Sequence, residues 1–349
     1  MSPFSDTVHD LEQALAGVPG VRADRRTLLK RAAGIGLTLP PLAAFTARGA
    51  AASDDHEDSS QTATSQPVQP FTLYDPVLPP VEAGPKQITV VAKDVVQYIA
   101  KDVPYAAWTF DGTIPGRVLR VVEGDTIDVT FSVDPAALTA HSLDLHSAKT
   151  APDKNYRSIM PGEELSFQFV AKYPGAYMYH CGTPPILMHI AAGMYGAMIV
   201  DPKEGWSPAQ EFVFVQSEYY LKDSGNGVMA PDYTKMVGNG TMDYCVFNGY
   251  ANQYMEHPIS VEVNAPIRVF IVNAGPNIWS SFHVVGTIFD AVYINGNPAN
   301  KLVGLQSVTI GPGDGAVVEF TLDEPGEYPF VNHAFGHAAH GAVGIFQAS

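Results

Sequence analysis

Polar and apolar residues alternate along most of the chain with a period of two, the pattern of strands with one buried face. Ile127, Val129, Phe131 and Val133 alternate with Thr126, Asp128, Thr130 and Ser132. Leu165, Phe167 and Phe169 repeat the pattern, as do Ile259, Val261 and Val263, then Val318, Phe320 and Leu322. No comparable stretch carries a helical period. Turn signals punctuate the strands at Asp111-Gly112, Pro161-Gly162, Pro174-Gly175, Pro312-Gly313 and Pro325-Gly326.

These turns expose an internal repeat. Pro161-Gly162 and Pro174-Gly175 are thirteen residues apart, as are Pro312-Gly313 and Pro325-Gly326. PGAYMYHC (174–181) matches PGEYPFVNH (325–333), and Phe110-Asp111-Gly112 parallels Phe247-Asn248-Gly249. A unit that recurs predicts two antiparallel β-sandwiches, residues 70–203 and 208–349, each with its own core. The joint falls near Pro202-Lys203-Glu204-Gly205.

Composition agrees with this all-β reading. Charged residues make up 16% of the 349, while 31 Gly and 28 Pro favour turns over long surface helices. The net charge of −16 argues against a nucleic-acid partner, which would call for a basic face. Two cysteines exclude a disulfide framework.

The first 52 residues read as an address. Arg25-Arg26 stands ahead of Leu28-Leu29-Lys30 and an apolar run to about Phe45, which resembles a twin-arginine export signal. Small residues at 49–52 offer a cleavage site, and polar, Pro-containing residues 53–69 read as a flexible linker. Such a signal implies a periplasmic or otherwise extracytoplasmic location. Without residues 1–52, which carry six basic and four acidic side chains, the charge becomes −18. A surface that negative suits a basic partner.

Most of the eleven histidines fall in three clusters: His141 and His146 around Asp144; His180, Cys181, His189 and Met194; and His333, His337 and His340. Strand parity sorts them, because residues an odd number apart face opposite sides of a sheet. His141 and His146 are five apart and His180 adjoins Cys181, so each pair sends one side chain inward and one outward. The inward set is His141, Cys181, His189 and Met194: two imidazoles, a thiolate and a thioether, the ligands of a blue-copper (type 1) electron-transfer centre. Zinc is disfavoured because thioether is a poor zinc ligand. The outward pair His146 and His180 is incomplete. His333, at a near-equivalent strand end in the second unit, is the candidate third ligand, with His337 and His340 as rivals. Three imidazoles with an open position describe a catalytic metal site. Cys245 has no ligand company and reads as a buried core thiol.

Residues 70–349 resemble the two-domain copper-containing nitrite reductases. His-x2-Asp-x-His matches His141, Asp144 and His146; His-Cys-x7-His-x4-Met matches His180, Cys181, His189 and Met194; VNH ends at His333. SSFHVVGTIFD (280–290) is similar to the segment that overhangs the catalytic copper, with His283 as the overhanging imidazole and Val285 narrowing the substrate pocket. The resemblance implies two tandem cupredoxin-like Greek-key domains and two coppers per subunit. Type 1 copper would be held by His141, Cys181, His189 and Met194, and type 2 copper by His146, His180 and His333. It further implies a homotrimer with the type 2 site between subunits, and reduction of nitrite to nitric oxide with Asp144 and His283 handling protons. The donor would be a small cytochrome c or cupredoxin. Departures are the segment SAKTAPDKNYRSIM after His146, the extra His337 and His340, and Val285, which leaves more room than Ile.

Two rival functions remain at this point. A laccase-like two-domain multicopper oxidase would require His-x-His pairs, and the chain has none. A blue-copper electron carrier would follow if the outward site lacked its third ligand.

Overall fold

The computed structural model describes residues 67–349 apart from 82, 83, 226 and 239. The export signal, its cleavage site and most of the linker lie outside the described residues. The last linker residues do not belong to a linker: Val68–Gln69 pairs in parallel with Val96 and Gln97.

The described residues form four sheets. Strands Lys86–Ala100, Val103–Phe110, Thr126–Val133 and Glu164–Val170 form the larger sheet of the first sandwich. Facing it are Gly116–Val122, Tyr195–Asp201, Gly175–His180 and the two-residue strand Asp144–Leu145. Period-two alternation is realised where it was read: Ile127, Val129, Phe131 and Val133 are all at most 1% exposed and pack against Phe110, Leu119, Val121 and Tyr179.

The second sandwich pairs a six-stranded sheet, which includes Gln210–Tyr219, Ile267–Gly275 and Gly315–Phe320, with a five-stranded one, which includes Ser280–Val284, Gly326–Asn332 and Val343–Ala348. Its core is aromatic, with Phe214 stacked on Phe330 at 4.6 Å and Phe247, Phe282 and Phe346 around them. The hairpin formed by Leu221–Asp223 and Met229–Pro231 crosses over to the first sandwich, where Met229 pairs with Tyr105.

Two cores were expected, and the described residues form three apolar clusters. The third lies between the sandwiches, and joins Tyr105, Tyr195 and Ile199 to Val213, Val215, Phe270 and Val272. Strands 210–219 and 267–275 are therefore buried on both faces, and at their centres the alternation gives way to the short apolar runs 212–215 and 269–272. Ion pairs reinforce the seam. Arg120 bridges Asp201 and Glu211, each at 2.8 Å, and Arg268 bridges Glu211 and Glu319 at 2.8 and 2.6 Å.

The repeat is visible atom by atom. Asp111 and Asn248 both adopt a left-handed backbone, and each side chain accepts from a strand N–H, of Val91 at 2.9 Å and of Val215 at 2.7 Å. Gly249 follows at φ 82°, with its Cα against the Ile114 carbonyl where a Cβ would collide.

Candidate metal centres

The first cluster is assembled from three connections at one end of the first sandwich. His141 precedes strand Asp144–Leu145, held by reciprocal main-chain bonds to Ile159 at 3.1 and 2.9 Å. Cys181 follows strand Gly175–His180, and His189 lies on the buried side of helix Ile186–Ala191. Met194 closes the loop: Cys181 N–H donates to its carbonyl at 3.2 Å, and its own N–H donates to His189 O at 3.1 Å. All four side chains are at most 2% exposed. Nδ1 of His141 and Nδ1 of His189 are 3.2 Å apart, with Cys181 Sγ at 3.9 and 3.3 Å from them. Ser142 N–H donates to the sulfur at 3.3 Å, and the Trp108 ring covers His189 at 4.6 Å. Burial, aided by His189, lowers the His141 pKa to about 3, and burial lowers that of His189 to about 4. Both imidazoles are thus neutral near pH 7, the state that binds metal.

The second cluster lies on the other side of the same strands. His180 and His146 meet with Nε2 facing Nε2 at 3.0 Å, and their rings cross at 84°. Each Nδ1 is already committed to a carbonyl: that of His180 to Cys181 O at 2.9 Å, that of His146 to Gly313 O at 3.2 Å. Carbonyls only accept, so each Nδ1 carries the proton and each Nε2 offers a lone pair. Two lone pairs aimed at one another call for a cation between them, and the donor set fits a metal. The Asp144 carboxylate stands 3.9 Å from His180 Nε2. Burial lowers the His180 pKa further than its hydrogen bond to Cys181 raises it.

Among the described residues, the ligand atoms that converge are His141, Cys181 and His189 in one group and Asp144, His146 and His180 in the other. His333 joins neither within a single chain. It is exposed, its N–H donates to Ser281 O at 2.7 Å, and its ring meets those of His283 at 5.2 Å and Phe335 at 4.9 Å. His283 donates through Nδ1 to the Gln306 carbonyl, which leaves Nε2 free, and Val285 beside it is exposed.

The remaining candidates have other partners. His337 Nδ1 lies 2.9 Å from Asn332 Nδ2, and His340 Nδ1 bonds the Asp243 carbonyl at 2.7 Å. Cys245 is fully buried, and both cysteines are free. Sequence reading missed Ser142 and Gly313. The Pro312-Gly313 turn was legible only as punctuation, yet its carbonyl sets the tautomer of His146 from the opposite sandwich.

Comparison with known proteins agrees with this geometry. Models of the Multicopper oxidase family match residues 92–205 and 227–349, one in each sandwich. Fold and site together define a cupredoxin-type copper protein with two domains. The copper-containing nitrite reductase of Neisseria gonorrhoeae is 37% identical over 289 residues, covering 79% of this chain and 73% of that protein. A solved copper nitrite reductase from Nitrosomonas europaea matches with a TM-score of 0.72 at 37% identity, over 76% of this chain and 94% of that one. A Cu-containing nitrite reductase from Thermus scotoductus SA-01 matches at 0.70 and 33% identity, over 76% and 62%. The chain belongs to the copper-containing nitrite reductases.

Proposed function

We propose that the chain reduces nitrite to nitric oxide, NO2⁻ + 2H⁺ + e⁻ → NO + H2O, with two coppers per subunit. One observation carries this reading: consecutive side chains, His180 and Cys181, stand in separate ligand clusters. His141, Cys181, His189 and Met194 would hold type 1 copper; His146 and His180, with His333 from a neighbouring copy, would hold type 2 copper. When bound, the metals supply one-electron redox chemistry and a Lewis acid for the nitrite oxygens.

The chain's own residues do the rest. The Cys181–His180 peptide links the two clusters, and the bond from His180 Nδ1 to Cys181 O shortens the connection. Asp144 stands beside the open side of the His146–His180 pair and would hold a proton there. His283, with Nδ1 tied to Gln306 O, has Nε2 free to give the other. Val285 would border the pocket.

A contact that presents His333 of one copy to His146 and His180 of the next is heterologous, and closing it after three copies gives the homotrimer. The surface around His333 suits burial: Phe335 and Trp279 are 60% and 61% exposed. The acidic surface favours a basic cytochrome c or cupredoxin as donor, and export by the twin-arginine route would place the trimer in the periplasm.

Anaerobic assay of nitrite consumption with copper counting on the same sample tests the reading. Two coppers per chain with nitric oxide formed supports it. One copper and no turnover leaves an electron carrier.

A further inference from the structure

The two sandwiches can be compared position by position around the type 1 cluster. The bonds from Val91 to Asp111 and from Val215 to Asn248 align those strands, and three residues further on stand Asp94 and Glu218. Each carboxylate caps the same loop. Leu138 N–H donates to Asp94 Oδ2 at 3.0 Å, and Asn277 N–H donates to Glu218 Oε1. Three residues beyond each donor lie His141 and Ser280. The loop closure matches too: Asn332 N–H donates to Ala342 O at 3.1 Å and Ala342 N–H to His337 O at 3.2 Å, as Cys181 does to Met194 and Met194 to His189. The second sandwich thus carries Ser280, Asn332, His337 and Ala342 where the first carries His141, Cys181, His189 and Met194. Three of the four donors are gone. The same alignment sets Asn332, not His333, opposite Cys181, so His333 lies one residue beyond the strand end that His180 precedes.

What the first sandwich adds is an imidazole facing the capping carboxylate. Asp94 Oδ1 and His141 Nε2 are both buried, neither has a hydrogen-bond partner, and they stand 3.9 Å apart. His141 Nδ1 is turned toward Cys181 Sγ and His189, and with Nδ1 on the metal proposed above the ring proton would sit on Nε2 and point at the carboxylate. A buried donor and a buried acceptor left unpaired are both destabilising, which favours their closing on one another.

We propose that Asp94 is a positioning residue for type 1 copper: its free oxygen accepts from His141 Nε2–H, fixes the ring's tautomer and orientation, and makes Nδ1 a stronger donor. This rests on the type 1 assignment above. A carboxylate behind a ligating imidazole is worth about 10- to 100-fold in metal affinity. Its negative charge favours the more positive, oxidised metal.

The rival explanation is that Asp94 only caps its loop, as Glu218 does where the other ligands are lost. Asp94→Asn and Glu218→Gln separate the two. Asp94→Asn should shift the equilibrium toward reduced copper by roughly tenfold, about 59 mV for one electron, and move the visible band. Glu218→Gln should leave both unchanged. Asp94→Glu, in which the carboxylate is kept and which the second sandwich shows can cap such a loop, should return the potential most of the way. An unchanged potential and spectrum in Asp94→Asn, or no rescue by Asp94→Glu, overturns the proposal. A wild-type protein with no visible copper band overturns the type 1 assignment instead.

Discussion

Cys181 and His180 are consecutive, yet Cys181 Sγ lies 3.3 Å from His189 Nδ1 while His180 Nε2 lies 3.0 Å from His146 Nε2. Strand alternation sends the two side chains to opposite faces, so a single peptide separates the clusters. Cys181→Ala should therefore abolish the visible colour and lower nitrite turnover with a protein donor at least a hundredfold. The second copper should stay. Absorption spectra and copper counts on one preparation check this, and loss of both metals would mean that the clusters are not independent.

His333→Ala gives the complementary result. The side chain is exposed and does not belong to the type 1 group, so the colour should persist and one copper per chain should disappear with the turnover. If His333→Ala still reduced nitrite at the full rate, the third ligand would be another residue.

Asp144→Asn should keep both metals, because the neighbouring imidazoles hold their geometry through carbonyl bonds that do not involve the carboxylate. Turnover should fall by about 10²-fold or more, the usual contribution of a positioned proton donor. Loss of copper in place of turnover would recast Asp144 as a ligand.

Much of this was legible in the chain because alternation is a local signal. Ile127 to Val133 face one core and declare it, and the spacing of His141, Cys181, His189 and Met194 specifies a ligand set before any fold is known. What was illegible is non-local. Val213, Val215, Phe270 and Val272 form a third apolar cluster only because two sheets pack on each other, which no period within one strand reports. Gly313 and Asp94 matter through atoms that approach across the fold, 167 and 47 residues away from His146 and His141. His333 belongs with His283 in one chain, so its part in a metal site can be inferred only through a second copy.

The seam between the sandwiches yields a stability prediction. Arg268 is 2% exposed, pairs with Glu211 and Glu319, and lies over the Trp206 ring at 4.8 Å. Removing the buried guanidinium leaves Glu319 without this cation and Glu211 with Arg120 alone, and it empties the space over Trp206. Arg268→Ala should cost about 3–5 kcal/mol in urea unfolding. A cost below about 1 kcal/mol would show that water reaches the carboxylates.

Glu218 makes stability depend on pH. Burial pushes its carboxyl up to about 8, against the opposing hydrogen bonds from Asn277 and Ile278 and from Tyr220. Near pH 4 the group is protonated in both folded and unfolded chains. As pH rises past the ordinary value of 4.5, the unfolded chain loses the proton while the folded one keeps it, so ionisation favours unfolding. Above about 8 the folded chain ionises too, and the penalty levels off. Glu218→Gln cannot ionise. The variant should therefore gain stability over wild type between pH 5 and 8, by on the order of a few kcal/mol, and the difference should be flat above that. Parallel curves for the two proteins across this range would mean that Glu218 is already charged when folded, held so by the N–H groups of Asn277 and Ile278.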